Sequence, residues 1–98
     1  MNKKTYAIDL DGVLIGPGWP DDQNPPPIVK NILRVNALHA EGHIIILHTS
    51  RSGNFDRKVT EAWLEEYGVL YARIAFDKPL ADFYIDDKAI NVADWEAA

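Results

Sequence analysis

The sequence predicts an α/β fold, a doubly wound and mostly parallel sheet with flanking helices. Three observations carry this. Short, β-branched apolar runs recur, as in Ile44-Ile45-Ile46-Leu47, and continuous runs of that kind suit strands buried on both faces. Stretches with apolar residues at helical spacing lie between them. Pro and Gly stand at the joints, where they punctuate elements. Alternating strands and helices make a parallel sheet the expected arrangement.

Thr5 to Asp9 reads as a buried strand, soon punctuated by Gly12. From 12 to 27 the chain is loop-like, with Gly16, Pro17, Gly18, Pro20 and the triple Pro25-Pro26-Pro27, and Trp19 sits in its middle. Pro27 suits the first turn of a helix, where a missing N–H costs nothing. Ile28, Ile32, Val35 and Leu38 follow at helical spacing, and Gly42 can end that helix with positive φ. The spacing therefore predicts a helix over 28–41 and a strand over 43–48. A loop runs to Phe55. Asn54 or Asp56 is placed to cap a second helix over 56–67, carrying Val59, Trp63 and Tyr67 and closed by Gly68. Leu70 to Ala75 is the third expected strand, and Phe83-Tyr84-Ile85 the fourth, ending at Asp86-Asp87. Residues 91–98 are expected to form a short final helix.

The chain has 98 residues, which predicts one domain over 1–98. It has no cysteine, so disulfides and cysteine metal sites are excluded, in keeping with a reducing compartment. The first apolar run is too short for a signal-peptide core or a membrane span. A cytoplasmic protein without membrane contact is expected. With 10 basic against 15 acidic residues and a net charge of −5, the chain lacks the broad positive footprint of a nucleic-acid binder.

In doubly wound sheets, ligands bind beyond the carboxyl ends of the strands. That rule selects Asp9 and Asp11, then Thr49, Ser50 and Arg51, then Asp77 and Lys78, then Asp86 and Asp87. Asp9 and Asp11 are two residues apart, so in extended chain they point the same way. Four carboxylates in one pocket raise one another's pKa unless compensated. A hard divalent cation is the natural compensation. Mg²⁺ suits it best, being held by one or two carboxylates with waters and a substrate phosphate. Thr49 adds a hydroxyl and Lys78 a point charge for phosphate. These parts fit phosphoryl transfer, in which positioning and charge stabilisation dominate. A carboxylate can act as nucleophile, and a second can act as acid and then base. Singly, each motif is a common turn or surface loop. The strength lies in four of them standing in order, each after a separate expected strand.

Ile8-Asp9-Leu10-Asp11-Gly12-Val13-Leu14 resembles the first motif of the haloacid dehalogenase (HAD) superfamily of phosphatases. Ile45-Ile46-Leu47-His48-Thr49-Ser50-Arg51 resembles the second, Lys78-Pro79 the third and Tyr84-Ile85-Asp86-Asp87 the fourth. Arg51, Trp63-Leu64 and the run from Tyr84 to Ala89 are similar to small capless members associated with capsule or surface-polysaccharide biosynthesis. One departure is Val13, where many members carry Thr. The resemblance implies a Rossmann-like core and a Mg²⁺-dependent phosphomonoester hydrolase acting on a small phosphorylated metabolite such as a sugar phosphate. It implies Asp9 as nucleophile and metal ligand. Asp11 would be acid/base and bind the metal through its carbonyl. Thr49 and Lys78 would hold phosphoryl oxygens, with Asp86 a direct Mg²⁺ ligand and Asp87 assisting. Ser50 rivals Thr49 for the second motif's role. Arg51 is a candidate contact for a second anionic group of the substrate, or else a loop salt bridge.

Two other readings compete. A polynucleotide or nucleotide phosphatase would use the same scaffold, but no aromatic-plus-basic stacking surface is legible. A phosphoacceptor receiver domain would carry its acidic pair first and Lys-Pro last, and here Asp86-Asp87 follows Lys78-Pro79. Residues 12–48 and 50–77 are used up by the expected loops, helices and strands, which leaves no room for the cap that larger relatives insert. Closing the site then falls to the 12–27 loop with Trp19, to a neighbouring subunit of a homo-oligomer, or to a large substrate.

Overall fold

The computed structural model describes residues 2–97. Its element order is β1 (Thr5–Asp9), α1 (Val29–Ala40), β2 (Ile44–His48), α2 (Gly53–Glu66), β3 (Arg73–Ala75) and a 3-10 helix (Val92–Ala97). The three strands form one sheet in the order β1-β2-β3, and both pairings are parallel. This is the open, Rossmann-like α/β arrangement that the strand and helix pattern predicts.

Register follows from burial. Ile8 on β1 pairs with Leu47 on β2, and Leu47 with Ile74 on β3. Ile45 and Leu47 are fully buried, and they share one face because side chains alternate along a strand. Ile32 and Val35 from α1 and Trp63 and Leu64 from α2 close the same core. A one-residue slip would turn each of these strand residues to the opposite face. The same register sets Asp9 opposite His48, so β1 and β2 end level.

Asn36 explains why β3 begins only at Arg73. Its amide donates to the Gly68 carbonyl at 2.9 Å and its oxygen accepts the Leu70 N–H at 2.9 Å. The chain after α2 is thus held as a turn, and pairing starts when the Ala72 N–H reaches the Ile45 carbonyl. At the far end, Arg34 donates to the Trp95 carbonyl at 2.7 Å and lies over its ring, which fastens the 3-10 helix to α1. Ala98, the last residue of the helix expected there, lies outside the described residues.

Two expectations are corrected. The second helix starts at Gly53 rather than near 56, with Ser52 at its cap position and no side-chain cap bond. Neither Asn54 nor Asp56 caps it; both lie inside it. Phe83-Tyr84-Ile85 forms no strand. Phe83 and Ile85 are exposed, and the bonds around this run are local. The Tyr84 hydroxyl donates to the Pro79 carbonyl, and the Asp86 carboxylate accepts the Lys88 N–H at 2.8 Å. Such side-chain bonds offer backbone groups an alternative to a ladder.

The 12–27 segment is loop-like in composition but firmly built. Leu14, Ile15 and Pro25 are buried. Gly16 N–H donates to the Pro26 carbonyl at 2.7 Å, and Ile28 N–H to the Leu14 carbonyl at 2.8 Å. The indole of Trp63 donates to the Pro25 carbonyl at 2.9 Å. Trp63→Phe keeps most of the packing but leaves that buried carbonyl without its donor. We expect a loss of about 1–3 kcal/mol, read as a lower urea midpoint with an unchanged slope.

Candidate active site

The site forms where β1 and β2 end. Past Asp9 the chain turns sharply around Leu10, whose carbonyl accepts the N–H groups of Val13, Leu14 and Ile15 at 3.1, 2.9 and 3.0 Å. Gly12 sits at φ 87°, a conformation that costs Gly little and other residues more. Its N–H donates to the Ile15 carbonyl at 2.8 Å. Asn31, buried on α1, donates to the Val13 carbonyl at 2.8 Å. The turn fixes both carboxylates. Asp9 Oδ1 accepts the Leu10 N–H at 2.9 Å, and Asp9 Oδ2 lies 3.7 Å from Lys78 Nζ.

Beyond β2 the chain is stitched to residues 75–78. Thr49 N–H donates to the Ala75 carbonyl, Lys78 N–H to the Thr49 carbonyl and Asp77 N–H to the Arg51 carbonyl, at 3.0, 2.9 and 3.1 Å. Asp77 takes φ 66° to make the last of these. These three bonds deliver Lys78 to Asp9. The Lys78 ammonium also lies 4.0 Å from the centroid of the Tyr84 ring. Thr49 is buried, and its hydroxyl oxygen accepts the Arg51 N–H at 3.1 Å. Ser50, half-buried beside it, opens onto the neighbouring cavity.

Of the two expectations for Arg51, the loop salt bridge is the one the structure shows, and it is made from a buried position, the side chain being only 2% exposed. Nε and Nη2 donate to the two carboxylate oxygens of Asp11 at 3.1 and 2.7 Å. This is the bidentate geometry that makes guanidinium–carboxylate pairs strong. Nη1 donates to the Thr60 hydroxyl on α2 at 2.9 Å. The guanidinium carbon lies 3.7 Å from the centroid of the Trp19 ring. One side chain therefore joins the β1 turn, the 12–27 loop and α2.

His48 belongs to the same electrostatic neighbourhood. Partial burial and then the Lys78 charge lower its pKa below 6.5, while Asp9 opposes them. Asp86 and Asp87 are exposed, and among the described residues no group of three acidic or imidazole side chains is close enough to hold a metal ion. The structure thus gathers Asp9, Asp11, Thr49, Ser50, Arg51 and Lys78, and does not bring Asp86 and Asp87 to them. What sequence reasoning missed was Thr60 as a partner of Arg51, and Asn31 as the anchor of the β1 turn. The available signal for Thr60 was its helical spacing from Trp63 and Leu64, which turns a hydroxyl toward the core.

No family model matches the chain, and no curated protein matches it at a significant level. Solved structures do. A crystal structure of a structural-genomics target from Vibrio cholerae is 28% identical with a TM-score of 0.83, covering 97% of this chain and 89% of that one. A chain in the structure of the Pnkp1/Rnl/Hen1 complex is 22% identical with a TM-score of 0.68, covering 86% of this chain and 30% of that one. The second likeness is one of fold.

Two predictions follow from this geometry. Arg51→Lys keeps the charge but cannot bridge both Asp11 oxygens and Thr60 together. We expect a loss of about 1–3 kcal/mol in urea unfolding, with tryptophan emission shifted to the red as Trp19 is uncovered. By NMR titration, His48 should ionise below its ordinary value, and Lys78→Gln should raise it. Because the folded pKa is lowered, the unfolded chain takes up that proton first as pH falls below about 6.5. Stability is then full above that pH and declines as the pH drops through it. His48→Gln should flatten that part of the profile.

Proposed function

We propose that the protein is a phosphomonoester hydrolase of HAD type, working through Asp9. The observation that carries this reading is one carboxylate facing one ammonium at the carboxyl ends of β1 and β2, with a second carboxylate braced two residues away. Asp9 is partly open, its side chain 37% exposed, so a phosphoryl group can approach it. Lys78 neutralises charge on that group's oxygens, and the Thr49 or Ser50 hydroxyl donates to another.

In the first step an Asp9 oxygen forms a bond to phosphorus as the bond to the ester oxygen breaks. The departing alkoxide takes a proton that Asp11 can carry only when its oxygens are released from Arg51, and an aspartyl-phosphate is left. In the second step Asp11 takes a proton from water, whose oxygen bonds to phosphorus. The Asp9–phosphorus bond breaks, freeing phosphate and regenerating the carboxylate. General acid–base assistance of this kind is worth about 10²–10⁴ in rate.

Mg²⁺ is the metal proposed for the site. Asp9 offers one carboxylate, a donor that this ion accepts beside waters and a substrate phosphate. The carboxylate of Asp11 is engaged by Arg51, so Asp11 would serve through its carbonyl, as the HAD resemblance implies. Asp86 and Asp87, the further ligands that the resemblance implies, are not gathered with Asp9 and Asp11 in this structure. When bound, the ion would neutralise charge on the phosphoryl oxygens.

Hydrolysis of a generic aryl phosphate tests the proposal. Activity should disappear on chelation, return with Mg²⁺, and fall to background in Asp9→Asn. Asp11→Asn should slow an alkyl phosphate by about 10², more than an aryl phosphate whose leaving group needs no proton. Full activity in Asp9→Asn would sink the mechanism. A stable phosphoprotein without turnover would point instead to a phosphoacceptor domain.

A further inference from the structure

A cavity of about 460 Å³ lies against Asp11. If Asp11 protonates the leaving oxygen, the alcohol half of the substrate must lie on its side of the phosphorus, in this cavity. The wall combines three kinds of surface. Trp19, Pro20 and Leu80 are apolar, Ser50 and Ser52 bring hydroxyls, and Asp11 and Asp56 bring carboxylates.

Among the described residues lining the cavity, the sole cation is Arg51. It is closed to ligand, because its side chain is 2% exposed and three of its N–H groups already hold Asp11 and Thr60. Trp19 covers its face. The beginning of α2, which would otherwise attract an anion, is occupied by Asp56 in its first turn, whose Oδ2 accepts the Ser52 N–H at 3.4 Å. Arg57, next along α2, lies 3.8 Å from Asp77 and over the Phe76 ring. Lys78 stands with Asp9 and serves the group being transferred. The charges available thus match one phosphate at Asp9 and none in the cavity.

We propose that this cavity binds the alcohol half of the substrate as an uncharged, polyhydroxylated carbon skeleton and discriminates against one bearing a second phosphate. The inference rests on the hydrolase reading and narrows it. Hydroxyl groups meet the serines and carboxylates as partners, and the carbon skeleton meets Trp19, Pro20 and Leu80. A second phosphate would face the Asp56 carboxylate with no free cation to receive it. The same argument disfavours a phosphorylated polynucleotide end, whose next phosphodiester is anionic.

The test is calorimetric binding to Asp9→Asn of a hexitol monophosphate, the corresponding bisphosphate and a 3′-phosphorylated oligonucleotide. The monophosphate should bind tighter than the bisphosphate by about tenfold, the order expected for an uncompensated carboxylate a few ångströms from a phosphate near the surface. Asp56→Asn should narrow that ratio, and Asp56→Lys should reverse it, each variant first shown by circular dichroism to be folded. Bisphosphate or oligonucleotide binding as tight as monophosphate binding would overturn the inference. Aryl-phosphate turnover by the unmodified protein separates the two ideas. Turnover with the wrong binding order removes the inference alone. The right binding order without turnover removes the hydrolase and leaves the cavity's preference standing.

Discussion

The structure depends on a buried guanidinium. A charge withdrawn from water is costly unless it is paired and hydrogen-bonded, and Arg51 meets that demand with groups from three separate parts of the chain. Asp11 comes from the β1 turn, Thr60 from α2 and the Trp19 ring from the 12–27 loop. Each can arrive only if a larger feature is correct. Asp11 requires β1 and β2 to end level, as the pairing of Asp9 with His48 ensures. Thr60 requires α2 to lie against Arg51, and Trp19 requires the loop to fold inward. The pair therefore acts as a register lock, because a slipped strand would leave Arg51 buried without its carboxylate.

The same pairing organises the charge of the site. Asp9 and Asp11 are like charges on one short turn, yet each has its own cation. Lys78 stands at 3.7 Å from Asp9, and Arg51 binds Asp11 through two bonds. The two pairings differ in kind. Asp11 and Arg51 meet in the hydrogen-bonded fork that fixes orientation, whereas Lys78 is a compact point charge at a looser distance. In the proposed hydrolase, the looser pairing would leave Asp9 the more accessible of the two carboxylates. His48, pressed toward neutrality by burial and by Lys78, adds no second positive charge to compete for Asp9.

Much of this was legible in the sequence where the signals are local. β1 coincides with the apolar run from Thr5 to Asp9, and β2 and α1 fall within a residue of their expected limits, because burial pattern and Gly or Pro boundaries act over short range. The position of Arg51 was not legible. Arginine is mostly exposed, and nothing near it in sequence reveals a carboxylate 40 residues earlier that will enclose it. Phe83-Tyr84-Ile85 misled for the complementary reason. Its composition is that of a strand, but a strand exists only through a partner, and here Pro79, Asp86 and the Tyr84 hydroxyl engage the backbone locally. The expected cluster of four aspartates depended on that pairing, so the missing strand and the ungathered Asp86 and Asp87 are a single discrepancy.

The 12–27 loop bears on how such a site could select a substrate. A flexible flap would let the substrate shape its own pocket, with ordering entropy lost on every binding event. This loop is fixed at four places: the Leu14 carbonyl by Ile28, the Pro25 carbonyl by Trp63, the Asn24 side chain by the Tyr67 hydroxyl, and Trp19 over Arg51. One of these anchors, Trp63, comes from α2 and another, Tyr67, from its C-cap, on the helix that also carries Thr60 and Asp56. The wall of the cavity, the brace of Asp11 and the acidic residue at the cavity's edge are thus parts of one rigid arrangement. Selection by a surface of that kind rests on shape and charge present before the ligand arrives.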